Sequence, residues 1–87
     1  MKLTNIGYGN TVATNRIIAI VNPDAAPVRR MVSGAKDTGR IIDATCGHKT
    51  RSVLITDSDH VILSALMTET LAARVGNQEI ALEEDGE

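Results

Sequence analysis

Cys46 and His48 stand two positions apart, with Gly47 between them. A thiolate nucleophile served by an imidazole base is the chemistry that such a pair offers. The pattern stops short of it, because no third residue is assigned to orient the base and no oxyanion donors can be named. A structural or incidental role is the better expectation, with the cysteine acting as a small buried hydrophobe. Asp57, Asp59 and His60 have the ligand types of a metal site. Asp-rich turns are common for another reason, since the aspartate side chain bonds its own backbone, so no metal is expected. Gly7-Tyr8-Gly9-Asn10 contains G-x-G but lacks the third glycine of a dinucleotide fingerprint, and no long helix follows it. It reads as a tight turn carrying a partly exposed tyrosine, a ring available to a subunit contact. No cofactor is expected, and no catalysis.

The grouping with more to offer is basic. Arg16 opens an apolar run, and Lys49 and Arg51, with His48, lie between two others. Singly, each is an ordinary solvated charge. If the segment 40–56 lies near the start of the run at Arg16, the four form a patch whose guanidinium groups suit phosphates or guanine edges.

These residues must be placed by short apolar runs that alternate with turns. Lys2 to Ile6 reads as a strand closed by Gly7–Asn10, and Arg16 to Val21 as a strand with both faces covered. Asp24 is positioned to cap a helix over about 25–38 in which Pro27 falls in the first turn. Val28, Met31, Val32 and Ala35 make its apolar stripe. Arg29 and Arg30 lie off that stripe, solvated or available to phosphates or to a neighbouring subunit's acids. Arg40–Cys46, Arg51–Thr56 and His60–Leu66 read as a three-stranded meander with turns at Gly47–Thr50 and Asp57–Asp59. Thr68 resembles the cap of a short second helix that ends at Gly76. The expected fold is α+β: one small domain over 1–77, two helices against a mostly antiparallel sheet, then an acidic tail over 78–87.

Composition narrows the function. Eighty-seven residues leave room for one core, and a chain this short tends to cover leftover apolar surface with other copies of itself. One tyrosine and no Phe or Trp exclude a single-strand binder built on several stacking platforms. The net charge of −2 hides an asymmetry: five of the eleven acids fall in the last nine residues, so residues 1–78 carry a surplus of three positive charges. A basic body suits a polyanion. The lone cysteine and the lack of a signal-type or membrane-length apolar run fit a soluble protein of the reducing cytoplasm.

Several blocks resemble the RemA-type extracellular-matrix regulatory proteins of Gram-positive bacteria. They are N-I-G-Y-G-N at 5–10, A-T-N-R-I-I-A-I-V at 13–21, P-D-A-A-P-V-R-R-M at 23–31, I-D-A-T-C-G-H-K-T-R at 42–51 and D-S-D-H-V-I-L-S-A at 57–65. The resemblance covers residues 3 to about 75. It implies a small cytoplasmic DNA-binding transcriptional regulator of biofilm-matrix and osmoprotection genes, assembled as a ring-shaped homo-oligomer whose basic face holds and bends DNA. By that resemblance Arg16 is a DNA contact, Pro27 is linked to assembly, and Arg51 matches the arginine that ends the loop motif. The family pattern has two arginines where this chain has His48 and Lys49, and a tyrosine-like residue at Cys46. Lysine keeps the charge without the guanidinium fork, and histidine gains charge only on acidification. The expectation is therefore an oligomeric double-stranded DNA binder contacting DNA through Arg16, His48, Lys49 and Arg51. It has no membrane and no small-molecule substrate. A non-catalytic interaction or structural oligomer is the alternative.

Overall fold

The computed structural model describes residues 2–76; the acidic tail expected over 78–87 lies outside them. Six strands and two helices follow in the order β1 (Leu3–Gly7), β2 (Asn10–Ala13), β3 (Ile17–Val21), α1 (Ala26–Asp37), β4 (Ile41–Asp43), β5 (Ser52–Thr56), β6 (Val61–Ser64) and α2 (Thr68–Gly76). A short 3-10 turn over Thr14–Arg16 leads into β3. The expected α+β class is present.

β1 and β2 form an antiparallel ribbon, and the remaining strands form one sheet in the order β3-β5-β6-β4. β5 pairs antiparallel with both β3 and β6, whereas β4 pairs with β6 in parallel. The expected meander over 40–66 is therefore corrected: only its second turn, at Asp57–Asp59, joins neighbouring strands. The first connection leaves β4 and returns on the far side of β6. The chain quits extended geometry before the point the sequence suggested, because the Asp43 carboxylate accepts from both the Thr45 amide (2.9 Å) and the Thr45 hydroxyl (2.6 Å). Cys46 and Gly47 then turn with φ of +54° and +82°. Antiparallel steps from β3 to β5 to β6 make β3 run parallel to β4, so β3-α1-β4 is a crossover from one sheet edge to the other, with α1 lying over one face.

β5 and β6 are covered on both sides. Val53, Val61 and Leu63 face Val28 and Ala35 of α1, while Leu54 and Ile62 face Ile6, Ala44 and Leu71. One sheet face is thus closed by α1 and the other by the β1–β2 ribbon with α2. The buried hydroxyls are bonded: Ser64 donates to the Ile6 carbonyl (2.8 Å), Ser52 to the Leu66 carbonyl (2.8 Å), and Thr4 shares a hydrogen bond with Thr14 (2.6 Å). Arg74 of α2 donates to the Asn5 carbonyl at 2.8 Å, tying the helix to the ribbon.

Four local expectations change. β2 was not anticipated, and it pairs through a two-residue loop, Tyr8-Gly9, in which both residues have positive φ. That is the primed geometry matching strand twist. β3 is an edge strand with a register shift between Ile17 and Ala19, and Ile18 is 66 % exposed rather than covered. Asp24 does not cap α1; the N-cap position is Ala25 without a side-chain bond, and the Asn22 carboxamide takes the Asp24 amide at 2.7 Å instead. Met31, expected on the packed stripe, is 41 % exposed.

Two predictions arise from this architecture. Leu71→Ala empties the centre of the α2-side core and should lower unfolding free energy by about 2 to 5 kcal/mol. Leu3→Ala, at a side chain 55 % exposed on β1, should change it by about 0.5 kcal/mol or less. Urea unfolding followed by circular dichroism compares them, and equal losses would contradict the burial described. The second concerns Asp43, whose carboxyl is held below the ordinary carboxylate range. The Thr45 hydroxyl is the main cause, followed by the Thr45 amide; burial opposes them, and the charge of Lys36 adds the smallest lowering. Because the folded-state value lies below the unfolded one, this bond stabilises the fold above the unfolded value and is lost as pH falls through the folded one. Thr45→Val should raise the Asp43 midpoint in a carboxyl-carbon NMR titration; an unmoved midpoint would refute the cause given.

Candidate nucleic-acid interface

The four basic residues singled out from the sequence are not brought together in one chain. Arg16 sits where β3 begins, and its carbonyl accepts from the Asp57 amide (3.0 Å) just past the end of β5. Arg51 immediately precedes β5 and donates its amide to the Ser64 carbonyl at 2.8 Å. The whole of β5 lies between them, about 20 Å at ~3.4 Å per residue. The adjacency on which a single patch depended is absent within the chain: Arg16 marks one end of the sheet, and His48, Lys49 and Arg51 the other.

At the first end, the Arg16 Nε donates to both carboxylate oxygens of Asp57, at 2.7 and 2.9 Å. This is the one ion pair among the described residues, and both side chains are about half exposed. An exposed pair of this kind adds little to stability. Its geometric effect is larger, because binding through Nε fixes the plane of the guanidinium and leaves the terminal nitrogens without a hydrogen-bond partner among the described residues. A planar fork held in one orientation suits a phosphate. Asp57 is thereby an orienting group, a role that reading Asp57–Asp59 as a turn had missed. Asp59 adopts the left-handed φ of +66°, and His60 bonds the Ser58 hydroxyl at 2.8 Å. No cluster of three potential metal ligands exists among the described residues.

At the other end, the His48 amide donates to the Thr45 carbonyl at 3.0 Å, with the ring Nδ1 3.2 Å from the same oxygen. Tyr8, on the β1–β2 turn, stacks on the His48 imidazole with ring centroids 4.6 Å apart and planes 13° from parallel. The turn tyrosine is partly exposed as expected, at 52 %, and one face of its ring braces the basic loop through His48. Forty residues separate the two rings, so no sequence spacing signals the contact. Cys46 is exposed, not buried as expected, and the contacts of the His48 ring among the described residues are with the Thr45 carbonyl and Tyr8.

Lys49 and Arg51 line a groove of about 150 Å³ with Asn22, Pro23, Thr50 and the start of α2, in which Asp24 and Glu69 also take part. Neither cation forms an ion pair with these carboxylates or with any other described residue. A second groove of about 330 Å³ adjoins it through Pro23 and Thr50, and Arg29 and Lys36 of α1 belong to its lining. Arg29 was read from the sequence as solvated or available to phosphates, whereas Lys36 was not singled out. Pro27 lies exposed in the first turn of α1. No helix among the described residues is long and apolar enough to cross a membrane.

The sequence is similar to those of proteins named for a regulatory role. A protein from Clostridium perfringens strain ATCC 13124, named for a regulatory role, is 54 % identical over 87 residues, covering 100 % of this chain and 98 % of its own. A Caldicellulosiruptor saccharolyticus protein of the same naming is 58 % identical over 85 residues, covering 98 % of this chain and 84 % of its own. A third, from Desulforamulus reducens, is 58 % identical over 81 residues, covering 93 % and 90 % respectively. These names point to a regulatory protein rather than an enzyme. The RemA-like family, described as extracellular matrix regulatory protein A-like, matches residues 3–75, and the chain belongs to that family.

Proposed function

We propose that this protein is a homo-oligomeric binder of double-stranded DNA that regulates transcription without catalysis. The observation that supports this best is Arg16, clamped through Nε by Asp57 at a rigid strand end with its terminal nitrogens uncommitted. His48, Lys49 and Arg51 supply the second contact zone at the opposite end of the sheet. Two zones about 20 Å apart at ~3.4 Å per strand residue meet separate phosphates, not one. Few contacts per chain make one subunit a weak binder. An assembly repeats both zones, so modest phosphate contacts add through effective concentration and the DNA is bent or wrapped rather than read base by base. Exposed apolar side chains on both edge strands, Ile18 of β3 and Ile42 of β4, are surface that other copies would cover. By the family resemblance the regulated genes are those for biofilm matrix and osmoprotection, in the cytoplasm.

Arg16→Ala should abolish measurable DNA binding while leaving assembly and fold intact. Fluorescence polarisation with a labelled duplex at two salt concentrations checks it, and an unchanged affinity would remove Arg16 from the interface. Pro27→Ser should reduce the assembled mass in light scattering and weaken DNA binding with it, while the far-ultraviolet dichroism stays that of the parent. An unaltered mass would show that the first turn of α1 takes no part in assembly.

A further inference from the structure

The groove between α1 and the sheet has a makeup that phosphate contacts with DNA do not account for. Its volume is about 330 Å³, at the lower end of the ~300–1,000 Å³ of small-molecule sites. Val32, Val53 and Leu63 give it an apolar lining, with Val53 fully buried beneath α1. Arg29 and Lys36 also line it, together with the hydroxyl residues Ser33 and Thr50. Arg29 and Lys36 stand seven positions apart on α1, two turns along one side of the helix. Neither forms an ion pair with a described residue, although Lys36 is near enough to Asp43 to help lower its pKa.

Each half of this arrangement selects something different. Two cations with nearby hydroxyl donors select an anion, and charge-assisted bonds to a phosphate are the strongest they can make. An apolar lining gains nothing from a bare anion, and a nucleic-acid backbone lying across the cations would leave it unfilled. A molecule that satisfies both halves carries a compact apolar group and an anionic one. We propose that the α1 groove binds a small organic phosphate, its apolar part against Val32, Val53 and Leu63 and its phosphate held by Arg29 and Lys36. The ligand is held and not turned over, since no histidine, cysteine or carboxylate lines the groove to activate the Ser33 or Thr50 hydroxyl. The site goes beyond the regulatory reading and stands whether or not the protein binds DNA.

Amide NMR titration of the full-length protein tests it with phenyl phosphate as the probe, and with inorganic phosphate and phenol as its separate halves. Phenyl phosphate should shift the amides of Val32, Ser33, Thr50 and Val53 saturably, and bind at least tenfold more tightly than either half. Arg29→Ala with Lys36→Ala should weaken it at least tenfold. Ser33→Trp, which fills the groove from an exposed helix position and keeps both cations, should abolish the groove shifts. Equal affinity for phenyl phosphate and inorganic phosphate would overturn the proposal, as would shifts centred on Lys49 and Arg51. It also falls if the groove amides move on dilution of the ligand-free protein, because the occupant is then a second copy of the chain.

Discussion

The β5–β6 hairpin is buried on both faces, and the rest of the molecule is arranged by that constraint. Val53 and Leu54, neighbours in sequence, point to opposite faces and are both fully buried, so two apolar covers are required. The chain supplies α1 as one cover and the β1–β2 ribbon with α2 as the other. A four-stranded sheet in a chain of this length has little else to cover it with. The crossover β3-α1-β4 then becomes a geometric necessity: α1 must lie over the α1-side core, and the strand that enters it and the strand that leaves it occupy the two sheet edges. Ser64 reinforces the second cover, since its hydroxyl reaches the Ile6 carbonyl across 58 residues of chain.

The same constraint sets where chemistry is available. With the sheet faces closed, functional side chains are left to the strand ends and connecting loops, the usual location for binding groups on a rigid scaffold. Arg16 and the Asp57 turn occupy one end, because β3 begins where β5 finishes. The 44–51 connection must occupy the other, because β5 begins there. The separation of the basic residues is therefore a consequence of the antiparallel β3–β5 pairing, and any surface that combines them has to be made by more than one chain.

Much of this was legible in the sequence. The runs S-V-L-I-T and V-I-L-S around D-S-D-H identify the central hairpin, and Val28, Val32 and Ala35 with Pro27 identify α1. What stayed hidden has physical reasons. I-I-D-A-T-C reads as a strand of ordinary length, yet the Asp43–Thr45 bonds end it after three residues, and no local signal reports that its partner is β6 in parallel. The turn at Gly7–Asn10 was legible, but its role as a hairpin loop leading into β2 escaped notice, because its left-handed positions are Tyr8 and Gly9, where Asn-Gly is the familiar signature. In the candidate site, the residue types were readable and their partners were not: Asp57 on Arg16 and Tyr8 on His48 are contacts over 41 and 40 residues.

Those two long-range contacts show how a chain with one aromatic residue builds a firm basic surface. A flexible cation loses side-chain entropy on meeting a phosphate, which offsets much of the attraction. Arg16 loses some of that freedom before any ligand arrives, since Asp57 fixes its guanidinium plane through one nitrogen and leaves the others facing outward. In the proposed contact an aspartate beside the arginine weakens the local positive potential, so a site built for charge alone would omit it. Its presence favours orientation over net charge. The basic loop is treated in the same way: the lone tyrosine is spent on bracing His48 rather than on filling the core, and the backbone around it is pinned to Thr45. At both ends the sheet fixes direction first, and in the proposed assembly modest charge is enough because each contact would be repeated from chain to chain.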